Sequence, residues 1–265
     1  MLNYLLYRLG QFFVLSLPLK LGYAIAVLVS DLHYIFSPRD RQAVKENLET
    51  IFPLASDNEI CKIRKKMFHN FAKYLVDFFR FSKIDKAYIE KNVKVENFCY
   101  FDEVLAKNKG VIVLTAHIGN WELGGAVIAL SGYNFWVVAL PHKHKYVDNF
   151  FNHQRQSKGV HVIPLGKAVR QCLKCLKENG LVALVGDRDF RQGGITMDFF
   201  GKPTLFPEGP AAFALKTGAA IVPGFMSRNP DDTFTLRFEK PIALSAKNTI
   251  VEDTKELIQR YKVII

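Results

Sequence analysis

From residue 110 onward, short β-branched runs alternate with stretches whose apolar residues recur every three or four positions. Runs at 111–115, 135–140, 160–163, 181–185, 220–225 and 233–238 predict strands. The intervening segments 121–130, 146–157, 168–177 and 210–217 predict helices, and a last helix begins near Val251. Strand and helix in alternation predict an α/β fold: a mostly parallel central sheet flanked by helices. Upstream, Ser37-Pro38-Arg39-Asp40 is a turn and cap signal ahead of a helix over 41–51, with Val44, Leu48 and Ile51 in register. Residues 57–81 then form one long amphipathic pattern through Ile60, Ile63, Met67, Phe71, Tyr74, Leu75 and Phe78. Residues 37–265 are therefore expected to be a single domain, helical over 37–100 and strand-helix alternating over 101–265. No repeat, low-complexity tract or flexible linker interrupts it.

Residues 1–36 differ in texture. They are rich in Leu, Phe, Val and Ile, but Pro18 divides them, and Arg8, Lys20 and Asp31 interrupt the apolar runs. Each uninterrupted run falls well short of the ~20 residues that cross a bilayer. The segment is expected to be helical and membrane-associated, lying in the interface or dipping into it rather than spanning it. No small-residue cleavage site follows a clean apolar core, so a removed signal peptide is not expected.

Composition changes the picture only in part. With 265 residues, 49% of them hydrophobic, the chain can bury a sizeable core, and its formal charge of +11 attracts something anionic. Nucleic acid is not expected, because the positive charges are not grouped on any recognisable recognition element. Lys62, Arg64, Lys65, Lys66 and Lys73 of the long helix suit either a solvated face or anionic lipid. Cys61, Cys99, Cys172 and Cys175 show neither zinc-site spacing nor a disulfide framework, and read as thiols of a reducing compartment.

The candidate chemistry sits where the strand 111–115 runs through Ala116-His117-Ile118-Gly119-Asn120 into a helix at Trp121. In open α/β sheets, ligands bind outside the carboxyl ends of strands, and His117 is at such an end. Glu122 falls in the first turn of the next helix, where the dipole favours a carboxylate, and is expected to turn back toward the imidazole. A neutral His accepts the proton of an attacking hydroxyl, and a carboxylate on its other nitrogen fixes the tautomer. Backbone N–H groups of Gly119 and Asn120 are candidate oxyanion donors. A His followed five residues later by an acid is weak alone, since roughly 0.7 chance matches are expected in such a composition. Here the one match falls at a strand end. Asp187 and Asp189 end the strand 181–185 on the same sheet edge, and either position Arg188, Arg191 or a substrate, or form the turn. Phe199, Phe200, Phe206 and Phe213 suit an acyl channel or simple core.

Thr115-Ala-His117-Ile-Gly-Asn-Trp-Glu122 resembles the core motif of the bacterial lipid A biosynthesis acyltransferases, the late or secondary lauroyl and myristoyl enzymes within the wider lysophospholipid acyltransferase-like group. Further blocks agree in order: Arg41 to Pro53, Arg155 with Gly159, Gly186-Asp187-Arg188-Asp189, and Asp198 through Gly201, Gly209-Pro210 and Gly218 to Phe225. The resemblance implies transfer of an acyl chain from acyl carrier protein to a hydroxyl of a glucosamine-based lipid A precursor, at the cytoplasmic face of the cell inner membrane. It implies no metal and no organic cofactor. It makes His117 and Glu122 catalytic, as base and partner. Arg155, Asp187, Asp189, Asn120 and Gly119 become substrate-binding candidates, with Arg155 expected at an accessible helix end, clamping a phosphate or polarising the substrate. The family pattern normally ends in a longer helix and a Trp-containing segment, so a shortened C-terminus is expected. Other acceptors stay open, among them a lysophospholipid, an ornithine lipid or a glycosylated phosphoinositide. A non-catalytic protein that binds anionic lipid at the membrane surface is the reading from a different class.

Overall fold

The computed structural model describes residues 2–189, 193–244 and 249–265, with side chains from Tyr4 onward. Arg191, named above beside Arg188, lies outside the described residues. The chain forms two compact units, one of Met1–Phe81 with Phe200–Lys202, the other of Ser82–Phe199 with Pro203–Ile265. Helices at 38–79 therefore group with the first two helices, whereas the sequence alone suggested a division at residue 36.

In the first unit, α1 (Leu2–Ser16) and α2 (Leu19–Phe36) are separated at Pro18, whose missing N–H and fixed φ favour a break there. They are followed by α3 (Pro38–Ile51) and α4 (Asp57–Phe79), the latter opened by a Ser56/Glu59 capping box. Helix α2 is one unbroken helix of 18 residues, long and apolar enough to cross a membrane by length and composition. Counting uninterrupted apolar runs stopped short at Asp31, whereas the helix continues past it. The Asp31 carboxylate turns toward α4, bonded to His69 at 2.8 Å and Lys65 at 3.5 Å, so the charge does not break the helix. Tyr23 and Asp77 form a second, buried link between α2 and α4. The terminal carbonyls of both N-terminal helices are covered by arginines from elsewhere in the unit. Arg80 donates to Val14 O (2.5 Å) and Leu17 O (2.8 Å), and Arg41 to Tyr34 O and Ile35 O. Such carbonyls have no partner within their own helix, so these contacts close the helix ends. Outward faces are left apolar: Leu9, Phe12, Leu28, Leu32 and Phe36 are all more than half exposed or at that limit.

The second unit begins with α5 (Lys86–Asn92), β1 (Val93–Glu96) and α6 (Cys99–Leu105). It continues through β2 (Val111–Thr115), α7 (Trp121–Leu130), β3 (Phe135–Ala139), α8 (Lys145–Gln156), β4 (His161–Pro164), α9 (Ala168–Lys177) and β5 (Leu181–Val185). A hairpin of β6 (Ile195–Phe199) and β7 (Lys202–Phe206) precedes α10 (Gly209–Thr217), β8 (Ala220–Arg228), β9 (Phe234–Phe238) and α11 (Ile250–Lys262). Seven strands form one sheet in the order β1-β9-β8-β2-β5-β3-β4, parallel throughout except where β8 meets β9. The mostly parallel α/β architecture read from the sequence is thus the observed one. Strands β1, β6 and β7 were not foreseen.

Because β2 and β5 are central, helices cover both of their faces and their residues are apolar without alternation. On one face Ile112, Leu114, Val182 and Leu184 pack against Cys172 and Leu176 of α9, Ala214 of α10 and Leu257 and Tyr261 of α11. On the other, Phe101 of α6 meets Phe238 of β9 at 4.5 Å. Phe206 is fully buried and meets Phe199 edge to face at 5.3 Å, and both join the core around Ile112 and Leu114, as Phe213 does. Phe200 is 52% exposed.

Candidate active site

Registers place Val113, Ala183 and Val137 in one row across β2, β5 and β3. The three strands run the same way, so the segments that follow them leave from one edge of the sheet. His117 follows β2, Asp187 follows β5 and His142 follows β3.

The turn from β2 into α7 can be made only by glycine at one position. Gly119 has φ +64°, and a Cβ there would lie 1.8 Å from Met226 O of β8. The neighbouring Asn120 is 2% exposed; its N–H donates to Met226 O at 2.9 Å and its Oδ1 accepts from Leu123 N at 3.1 Å, capping α7. Asn120 therefore holds the turn, and its backbone N–H is not the oxyanion donor expected from the sequence. Gly186 permits the equivalent approach on β5, since a Cβ there would meet Leu114 Cδ1 at 2.8 Å.

Together these turns bring His117 to Asp187. One carboxylate oxygen accepts from the His117 backbone N–H at 3.0 Å, the other from ring Nδ1 at 3.0 Å. Two bonds from one carboxylate fix both position and ring plane, and hold the proton on Nδ1. Trp121 stands edge-on to the ring at 5.3 Å. The imidazole stays 36% exposed, within reach of a substrate. Burial pushes the Asp187 pKa up, but the His117 hydrogen bonds and charge outweigh it and hold the carboxyl below its ordinary value.

Glu122 is not the partner of His117. It is buried in the first turn of α7, where Arg155 forks onto it, Nε at 2.9 and 3.2 Å and Nη2 at 2.5 Å. Arg155, expected at an accessible helix end, has a side chain only 14% exposed and a guanidinium engaged by that carboxylate. Its Nη1 also donates to Asn152 Oδ1 at 3.1 Å, Asn152 Nδ2 to Asp148 Oδ2 at 3.0 Å, and the His142 backbone N–H to Asp148 Oδ1 at 2.9 Å. Asp148 and Asn152 were not singled out from the sequence as site residues; their spacing of four and that of Asn152 to Arg155 on one helix was the available signal. Asp189, the other carboxylate at the end of β5, accepts from Gly193 N and Gly194 N at 2.9 Å each. Among the described residues, no three His, Cys, Asp or Glu side chains converge as metal ligands.

The arrangement supplies an oriented imidazole, an exposed glycine turn and a buried ion pair at one sheet edge. Comparison with known proteins adds the following. A family model described as bacterial lipid A biosynthesis acyltransferase matches residues 1–265. The chain is 31% identical over 160 residues to a phosphatidylinositol mannoside acyltransferase of Mycobacterium tuberculosis H37Rv, covering 58% of this chain and 51% of that protein. It is 35% identical over 128 residues to the protein of the same name in strain CDC 1551, covering 47% and 40%. With that of Mycolicibacterium smegmatis it shares 30% over 158 residues, covering 58% and 52%. The matched stretch thus spans at most 52% of the length of these curated relatives.

Proposed function

Since the chain belongs to the bacterial lipid A biosynthesis acyltransferase family, we propose that it transfers a fatty acyl group from a thioester to a hydroxyl of a lipid acceptor, with His117 as general base. The observation that carries this reading is the two-point hydrogen bond from His117 to Asp187. A binding protein has no use for a fixed tautomer at an exposed imidazole, whereas acyl transfer needs one. With the proton on Nδ1, the Nε2 lone pair takes the acceptor's hydroxyl proton as its oxygen attacks the thioester carbon. The Gly119 N–H, on the exposed turn, stabilises the oxyanion. Collapse breaks the C–S bond, the leaving sulfur takes the proton back from Nε2, and an ester and a free thiol result. Glu122 and Arg155 act one step back, holding α8 against the first turn of α7.

The acceptor and donor follow from likeness. The family's description supports a lipid A precursor, and the names of the mycobacterial relatives support a glycosylated phosphoinositide. Acyl carrier protein is the proposed donor. The apolar outer faces of α1 and α2 support attachment to a membrane, and the cytoplasmic face of the inner membrane is the proposed location. Incubation of the full chain with acyl carrier protein or coenzyme A thioesters and each acceptor, read by mass spectrometry, is expected to show one acceptor gaining one acyl chain. Near wild-type turnover by His117→Ala would remove the base assignment.

A further inference from the structure

The block Arg41 to Pro53 has no role in the acyl-transfer site. Arg41 of α3 stands with Arg64 of α4 around one aromatic ring, the two guanidiniums lying 5.3 and 5.4 Å from the centroid of Tyr34. Neutral acceptors fix both of them. Arg41 Nη1 donates to the carbonyls of Tyr34 and Ile35, the latter at 2.6 Å. Arg64 Nε donates to the Tyr34 hydroxyl at 2.9 Å, Nη1 to Arg41 O at 3.3 Å, and Nη2 to Cys61 Sγ at 3.9 Å. Neither guanidinium has an acidic partner among the described residues. Of the acids nearby in the chain, Asp31 is held by His69, Asp40 by His33 and Asp57 by Lys45. Among the described residues, Nε and Nη2 of Arg41 have no protein acceptor, and neither is shut away from solvent. Two like charges are thus braced together by groups that do not neutralise them. Planar donors held in this way match the oxygens of a phosphate.

The position of the pair says which phosphate. Leu28, Leu32, Ile35 and Phe36 are exposed and fall on one face of α2, at spacings of three and four. That apolar stripe ends in the turn whose carbonyls Arg41 holds. A helix whose stripe is buried at the acyl boundary brings its end among the headgroups. Resting on the membrane attachment proposed above, we infer that Arg41 and Arg64, braced on Tyr34, form a site for the phosphate of an anionic phospholipid. The apolar faces then supply the part of attachment that ignores lipid charge, and this pair supplies the part that depends on it.

Cys61 reports on the site locally. It is exposed, and the Tyr34 hydroxyl at 3.8 Å, then Arg64 and Lys65, hold its thiol below its ordinary pKa against desolvation. A phosphate that takes up the Arg64 charge lowers the thiolate fraction and slows alkylation.

Flotation of the full chain with vesicles of phosphatidylcholine alone, or with part of it replaced by phosphatidylglycerol, tests the site. The mixed vesicles are expected to bind more tightly. Arg41→Gln/Arg64→Gln should weaken that binding about 25-fold, at about fivefold for each basic residue near an anionic surface, and leave binding to phosphatidylcholine unchanged. Lys62→Gln/Lys66→Gln, on the same unit without the bracing, should cost clearly less. Alkylation of Cys61, read by peptide mass, should slow on mixed vesicles and not on phosphatidylcholine. Equal binding of both vesicles by the wild-type chain overturns the site and leaves the apolar attachment standing, whereas binding to neither refutes the attachment as well. An equal loss in the lysine variant reduces the effect to diffuse charge and overturns the site. A lowered thermal midpoint in the arginine variant, with its preference for mixed vesicles intact, makes the pair a clamp on α2 alone. Unchanged Cys61 alkylation on mixed vesicles places the phosphate elsewhere.

Discussion

His117 and Asp187 are the residues whose removal should cost chemistry without costing the fold. His117→Ala and Asp187→Asn are each expected to lower kcat about 100-fold or more while the thermal midpoint moves little. Glu122→Gln should behave differently. Removing one charge from a buried pair leaves the other uncompensated at about 3–5 kcal/mol, so its midpoint should drop clearly, with activity falling alongside it. Measuring kcat and midpoint for the three variants separates the roles, and a Glu122→Gln protein of wild-type midpoint would contradict the ion-pair assignment. Asp187 carries a sign of its own. Its folded-state pKa lies below the unfolded value, so its stabilisation is present above the ordinary carboxylate range and is lost as pH falls through the folded value. Asp187→Asn should therefore flatten the acid side of a midpoint-against-pH curve. His117 was legible because strand, turn and helix start are local patterns. Its partner was not, because Asp187 lies 70 residues away and meets His117 only through a strand order that no local pattern encodes.

Among the elements, the β2–α7 turn is the least tolerant. Gly119→Ala would force a Cβ into Met226 O and a non-glycine residue into the left-handed region, where the conformation alone costs about 1–2 kcal/mol. The expected result is lost activity and a lowered midpoint, both checked by calorimetry beside the assay. The six strands read from β-branched runs and the intervening helices are found within a few residues, since burial on both faces leaves an unbroken apolar signature. Strand β1, Val93–Glu96, alternates with charge and is short, and β6 and β7 carry Asp198, Lys202 and Pro203, so none of them announces itself by composition. In α2, sequence counting ended the apolar run at Asp31, whereas His69 and Lys65 pair that charge. Pairing across helices is invisible to a window that slides along one.

On the scale of the whole molecule, exposed apolar surface on α1 and α2 predicts membrane attachment that survives high salt. Replacing Leu9, Phe12, Leu28 and Leu32 by Gln keeps the buried contacts of both helices and should move the folded protein from the membrane pellet to the soluble fraction. Continued pelleting of a monodisperse variant would place the attachment elsewhere.

The strand order also governs when the molecule becomes competent. Strands β2 and β5 are neighbours in the sheet, yet β3 and β4 and their helices lie between them in the chain. Closing so long a loop comes late in folding, because its entropy must be met before the pairing rewards it. A nascent chain that has emerged only as far as α7 already displays His117 with nothing to orient it. Until β5 is in place the imidazole therefore lacks the carboxylate that orients it. Refolding monitored through Trp121 and Trp136 should show compaction ahead of any recovered turnover, with activity marking the moment at which the centre of the sheet closes.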